Sequence, residues 1–460
     1  MKTALLWGVG VIVVAAAACF CGLPGDGLDS STVPQNCTVF VGADEDRVLV
    51  GNNEDQGNPV VNVWFLPASE SAYGRFLIGT EGIVQGGMNE HGLVYDSLSK
   101  PWVEVAADER PLHYGMWPLH VLETCRTIEE AIAFFEQHNF PGVWGNGAFF
   151  ADATGDAAVF EGVAIARKSG PFFVATNFQQ TEAEPHGITC ERFLTATSML
   201  EDAEAYTPEL FREILDSVHA EYHDGGGTVY STLYDLHELT ITCYLYYDYE
   251  HPVLFDLREE MRRSEQAFEL RTVLPPSAAY ESWRAGKIGN LAREIASLRT
   301  EGADPAPSAD VIGHYAVAGG EPFVHAPLIT DSFSVARVGD RLAFVACPEG
   351  VALELFPLGG DLFRIAGMNP EADFDVALAR DASGGVSGAT LSVCALGVDI
   401  ALDKVSDVPV FDPLPGFMVP FPDSGGETSE PASDVSRIFW VGVGLAVLGL
   451  LGAALLLLLP

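Results

Sequence analysis

From Cys37 the chain alternates apolar and polar positions in short runs, the period-2 signature of half-buried strands. "CTVFVG" and "RVLVGN" read as two strands joined by a polar turn over 43–46, and "VNVWFLP" and "GRFLIG" as a second pair. "GLVYDSL" is a further strand. "TIEEAIAFFEQHN" changes to helical spacing: Thr127 caps it, Glu130 completes a capping box, and Ile128, Ala131, Ile132 and Phe135 line one face. "GAFFADATGDAAVFEG" predicts a hairpin, "PFFVATN" a strand ending at Asn177, and "CERFLTATSMLED" and "PELFREILDSVHAEYH" two helices. "LTITCYLYYDY" and "VLFDL" close the region as strands. The fold class is α+β, with helices packed on antiparallel sheets.

The rhythm then shifts. A helix is expected over 277–299, followed over about 310–405 by short strands separated by Gly and Asp turns, an all-β module. The expected organisation is a signal peptide and short propeptide (1–36), the α+β domain (37–265), a helical linker (266–305), a small β-barrel-like module (306–405), an acidic Pro/Gly linker (406–437) and a transmembrane anchor (438–460). The leader "MKTALLWGVGVIVVAAAACFCG" has the charge, apolar run and small residues of a secretory signal, with Cys19 as a lipoprotein-type alternative. Residues 438–460 are uncharged and long enough to span a bilayer, either as a permanent helix or as a tail exchanged for a lipid anchor. The expected setting is extracytoplasmic and membrane-anchored.

Charge removes some partners. The formal net charge of the 460 residues is −40, with five lysines, so nucleic acid and anionic membrane surfaces would be repelled. Cysteine spacing shows no metal pattern; Cys347 and Cys394, in the same module, are a candidate disulfide. His219 and His223 stand at i, i+4 beside Glu221, but without a third ligand the reading is a solvated helix face, and no metal is expected. Trp64, Phe65, Tyr73, Trp102, Tyr114 and Trp117 read as core packing first and as an acyl pocket second.

The candidate chemistry sits at Cys37. A cysteine attacks as thiolate and needs a base, and no His or Lys lies close in sequence. If the chain is cut before Cys37, the freed α-amine, with a pKa of about 8, can take the thiol proton. Asp55, read as lying on the turn after the second strand, would orient that amine, and Asn177 would donate into an oxyanion hole.

"CTVF…LVGNNED", "GGMNEHGLVYDSL", "VATNF" and "CERF", in this order over about 37–257, resemble the cysteine N-terminal-nucleophile (Ntn) hydrolases: the choloylglycine hydrolase, penicillin V acylase and acid ceramidase group, and the isopenicillin-N acyltransferase group. The resemblance implies a four-layer αββα core, autocatalytic exposure of Cys37, and hydrolysis of a linear amide C–N bond of a small N-acyl compound through a thioester, without a cofactor. It implies Cys37 as nucleophile and base, Asp55 and Arg192 as site residues, and Asn177 as oxyanion donor. Asn52 and Asn53 are site-support candidates. Asn52 stands where the bile-salt and ceramide enzymes carry Arg, and leans toward the acyltransferase branch, which has Gln; Ser99 stands where bile-salt enzymes carry a second oxyanion Asn. The C-terminal module loosely resembles β domains appended to penicillin-binding-type serine hydrolases. Acyl transfer at the same site is the alternative activity, and a non-catalytic surface binding protein is the second alternative.

Overall fold

The computed structural model describes residues 37–413 apart from 81–82, 107, 112, 114–115, 141, 183–186, 222–225, 299–308, 318–331, 340, 346–351, 366–373, 394–397 and 412. The expected leader, the anchor over 438–460 and the Cys347–Cys394 pair lie outside the described residues. Among those residues no helix is long and apolar enough to cross a membrane.

Two antiparallel sheets form the first part. One has six strands: β1 (Thr38–Ala43), β2 (Val48–Gln56), β10 (Phe172–Ala175), β11 (Gly227–Asp235), β12 (Thr240–Leu245) and β13 (Val253–Asp256), in the order β10-β1-β2-β11-β12-β13. The other has eight: β3 (Val61–Leu66), β4 (Arg75–Thr80), β5 (Ile83–Asn89), β6 (Val94–Val105), β7 (Gly142–Ala151), β8 (Ala157–Glu161), β9 (Ala164–Arg167) and β14 (Gln266–Glu269), in the order β14-β3-β4-β5-β6-β7-β8-β9. The sheet thus draws in a strand from beyond position 265. Gly155, at φ +85° in the β7–β8 turn, takes the left-handed conformation that favours glycine.

The apolar residues sort into layers. Val39, Val41, Val48 and Val50 of one sheet share a core with Val63, Phe76, Val94 and Phe149 of the other. Phe40, Leu49 and Leu233 point the opposite way, onto α3 (Glu191–Glu201) and α4 (Pro208–Ser217) through Ala196, Phe211 and Ile214. Trp64, Leu77, Tyr95 and Phe150 pack against α1 (Trp117–Thr124) and α2 (Ile128–Gln137). The order is helix–sheet–sheet–helix, with both sheets buried on two faces, so much of their sequence carries no clean alternation.

Most expected elements are present. Thr127 caps α2 by accepting from the Glu130 N–H at 3.3 Å, but Glu130 reaches back to the Arg126 N–H at 2.6 Å. Other expectations are corrected. The helix expected through His223 ends at Ser217, so His219 lies beyond it and stacks on Tyr247 at 5.0 Å; His223 lies outside the described residues. The aromatic set does not line one pocket: Trp64 and Trp117 pack in the helix-side core, Phe65 packs between the sheets, and Tyr73 stands edge-on to His91. The side chains of Trp102 and Tyr114 lie outside the described residues.

Helix α5 (Ala278–Leu298) matches the expected helix. It is packed rather than free: Ile288, Leu291 and Ile295 meet Val60 beside β3 and Phe356 of the following module. That module is a closed barrel of eight antiparallel strands, from Gly313–Val317 to Val398–Ser406.

Candidate active site

The alternation of β1 and β2 decides where the polar residues point. Since Val48 and Val50 face the second sheet and Leu49 the helices, Asn52 and Glu54 face the second sheet, and Asn53 and Asp55 the helices. Asn52, Asn53 and Asp55 are therefore strand residues inside β2, not turn residues. Thr38 pairs with Asn53, so one step back Cys37 lies across from Glu54, with both side chains on the inter-sheet face.

Cys37, Asp55, Asn177 and Arg192 converge, although up to 155 positions separate them. Arg192, in the first turn of α3, donates from Nη1 to the Cys37 carbonyl at 2.9 Å and to the Thr38 hydroxyl at 2.8 Å. Its Nη2 donates to Asn177 Oδ1 at 3.0 Å, and its Nη1 lies 3.6 Å from Asp55 Oδ2. One guanidinium fork thus fixes the nucleophile strand, the candidate oxyanion donor and the carboxylate together. Asn177 in turn donates from Nδ2 to the Ser99 carbonyl at 2.9 Å, which leaves that nitrogen a second N–H. Ser99 acts here through its backbone.

Asp55 is buried, and its Oδ1 accepts a hydrogen bond from the Thr228 hydroxyl. Burial raises its pKa to about 6, opposed by Arg192 and by the Thr228 bond. Asn53 supports the sheet from the helix side: it donates to the Leu215 carbonyl at 2.9 Å and accepts from Ser231 at 2.6 Å. Asn52 is fully buried on the other face.

The Cys37 thiol is held well above its ordinary value, first by burial and then by the negative fields of Glu54, Asp55 and Asp96. While Cys37 is linked to Asn36 the thiol is protonated at neutral pH and a poor nucleophile. A positive charge delivered beside these carboxylates would lower it.

Several residues at the site escaped the sequence reading: Glu54, Asp96, Thr228, and the buried pair Lys100–Glu161. Lys100 Nζ lies 2.8 Å from Glu161 and donates to the Phe178 carbonyl at 2.8 Å. Glu161 accepts from the Gln180 and Thr181 N–H groups at 2.9 and 3.0 Å. This ion pair pins the segment that carries Asn177. Among the described residues no group of three His, Cys, Asp or Glu could hold a metal ion.

Residues 43–248 match the sequence model of the family described as acyl-coenzyme A:6-aminopenicillanic acid acyl-transferase, a span that contains Asp55, Asn177 and Arg192 and begins just after Cys37. Among solved structures the chain is similar to penicillin V acylase from Agrobacterium tumefaciens, at 17% identity over 51% of this chain and 92% of that one, with a TM-score of 0.40. It is also similar to a variant of conjugated bile acid hydrolase from Clostridium perfringens, at 16% identity over 53% of this chain and 99% of that one, with a TM-score of 0.42. No curated protein sequence matches the chain.

Proposed function

We propose, from the match of residues 43–248 to the acyl-coenzyme A:6-aminopenicillanic acid acyl-transferase family, that the protein hydrolyses a linear amide of a small N-acyl compound, with Cys37 as an N-terminal nucleophile. The observation that carries the reading is the convergence of Cys37, Asp55 and Asn177 on Arg192.

In this reading the bond between Asn36 and Cys37 is cut first. The new α-amine sits beside Asp55 and takes the thiol proton, and Sγ attacks the substrate carbonyl. The second Nδ2–H of Asn177 and backbone N–H groups hold the oxyanion. The C–N bond breaks as the α-ammonium returns its proton to the leaving amine. Water then adds to the thioester and releases the acid and the free thiol. The raised thiol pKa of the uncut chain supports this order, because the cut supplies a positive charge beside the thiol, oriented by Asp55.

Acyl transfer at the same site is the second reading, favoured by the description of the matching family. An added acceptor amine would then compete with water for the thioester, and the ratio of transfer product to acid measures the partition. The setting proposed for the enzyme is extracytoplasmic, with residues 438–460 as its membrane anchor.

The test is the N-terminus of the mature protein by intact mass and sequencing, followed by turnover on a panel of N-acyl amides. A chain that begins at Cys37 and releases acid supports the hydrolase; a chain with Cys37 still internal removes its base and favours the binding-protein reading. Two substitutions refine the roles. Asn177→Ala is expected to lower kcat by roughly 10²–10³-fold with little change in KM, as for loss of one oxyanion donor. Arg192→Lys keeps the charge but cannot reach Cys37, Thr38 and Asn177 together, so steady-state kinetics should show kcat/KM down by about 10²-fold through misplacement.

A further inference from the structure

Two buried carboxyl groups beside the nucleophile are not used by the reaction above. Glu54, across from Cys37 on β2, and Asp96, on β6 of the facing sheet, are 4% and 1% exposed. Burial raises the pKa of both, the charge of Glu54 raises that of Asp96 further, and both act on the Cys37 thiol. The two sheets are bridged at this point: Gln85 donates from Nε2 to Glu54 Oε1 at 3.0 Å. Gln85 is the extra residue of a bulge in β5, between the Ile78–Gly86 and Gly79–Val84 pairs, and the bulge turns its side chain inward. Next to it Gly86 pairs with Asp96, and a Cβ there would stand 3.0 Å from Asp96 Oδ2, so the glycine leaves room for the carboxyl group.

What the pair lacks is a cation. The buried Glu161 has Lys100, and Asp55 has Arg192, but Glu54 and Asp96 have no ion pair among the described residues. Both Asp96 oxygens are without a hydrogen-bond partner, while the Cys37 thiol and the amide of the fully buried Asn52, two positions before Glu54 on the same face, approach the Glu54 carboxyl and act against the rise in its pKa. Buried carboxyl groups of this kind are costly unless a donor or a cation meets them. A metal ion does not fit, since no group of three suitable ligands exists among the described residues.

We propose that Glu54 and Asp96, with Asn52 beside them, form a binding site for an organic ammonium group, so that the acyl half of the substrate carries an amine next to the scissile carbonyl. The inference rests on the reading of Cys37 as the nucleophile, because it is the thiol that fixes where the carbonyl carbon sits. With Glu54 across from that thiol, the group within its reach is the substituent on the carbon next to the carbonyl. The substrates are therefore α-aminoacyl amides, peptide-like at the acyl end, rather than amides of fatty or aryl acids. Asn52 supplies an amide oxygen as a further acceptor for the ammonium N–H groups. The net charge of −40 favours the approach of a cationic substrate.

The test compares two chromogenic amides that differ only in the amine: phenylalanine 4-nitroanilide and 3-phenylpropionyl 4-nitroanilide. With the mature full-length protein, kcat/KM is expected to favour the amine by roughly 10–100-fold, the range of one hydrogen-bonded charge. Asp96→Asn, which keeps size and shape, and independently Glu54→Gln, should each bring the ratio to within about threefold of unity; circular dichroism and the cut before Cys37 report that the variants fold. In parallel, equilibrium dialysis measures 2-phenylethylamine binding to the wild type and to Asp96→Asn. Turnover of both amides at similar rates, or a preference that survives both variants, overturns the ammonium site and leaves the hydrolase standing; the pair would then serve only as counter-charge to the α-ammonium of Cys37. No turnover of either amide, with 2-phenylethylamine bound by the wild type and lost in Asp96→Asn, keeps the site and removes the hydrolase. Neither turnover nor binding removes both.

Discussion

Cys37→Ala is expected to abolish amide turnover, a loss on the order of 10⁴-fold or more, and to leave the chain uncut before position 37. The two effects have one cause. In the proposed mechanism the thiol is the attacking atom for the substrate and, in the precursor, for the carbonyl of Asn36. Cys37→Ser separates them: a hydroxyl can still attack the preceding carbonyl slowly, so partial cutting over days is compatible with the mechanism, while its much higher pKa keeps substrate turnover near background. Intact mass reads the cut, and release of acid from the amide panel reads turnover. The fold should persist, because Cys37 is one small residue in a large inter-sheet core that includes Val39, Val41, Val61 and Phe76. Removing a single small side chain there costs on the order of 1 kcal/mol. A Cys37→Ala protein that is cut normally and still hydrolyses the panel would end the N-terminal-nucleophile reading, whatever the fold.

Arg192 and the three candidates it gathers, Cys37, Asp55 and Asn177, stood out in the sequence because they lie in an ordered set of short motifs, each at a strand end or a helix start. Their surroundings were harder to read, for a physical reason. Strand β2 is buried on both faces, so "VLVGNNEDQ" has no apolar alternation, and its polar half looks like a turn. The glycines of "IVQGGMN" suggest a turn as well, yet they are strand residues of β5: a Cβ at Gly87 would meet the Phe76 carbonyl at 2.3 Å, and Gly86 makes room for Asp96. The central strand β11 was missed because "GTVYSTLYD" follows a glycine run and mixes hydroxyl and apolar side chains on both faces. Its Thr228 holds Asp55, while its Tyr230 packs between the sheets, and a register shift between them turns both to use. Glu54 and Asp96 break the rule that inward strand positions are apolar, and such breaks concentrate at functional sites. Local pattern alone cannot separate them from surface charge; only the pairing of Cys37 across from Glu54 shows which way they point.

The second large effect concerns a residue remote from the reacting atoms. Lys100→Met is expected to destabilise the fold by about 3–5 kcal/mol, the cost of leaving a buried charge without its partner. The ion pair is almost sealed from water, with side chains 1% and 0% exposed, so solvent screening offers little relief. Two further contacts depend on it: Lys100 holds the Phe178 carbonyl, and Glu161 holds the N–H groups of Gln180 and Thr181. Because Lys100 follows Ser99, whose carbonyl positions Asn177, turnover should fall by more than the loss of folded protein explains, with kcat affected before KM. Adding Glu161→Leu removes the stranded carboxylate and should recover much of the stability, since an apolar pair can replace a buried ion pair. It should not recover kcat, because the segment after Asn177 would still lack its anchors. Urea unfolding of the two single variants and the double variant closes a double-mutant cycle on the pair, and kinetics on the same three proteins separate stability from placement. Equal stability of Lys100→Met and the wild type would show that the pair contributes nothing to the fold; full recovery of kcat in the double variant would show that Asn177 is held by other contacts.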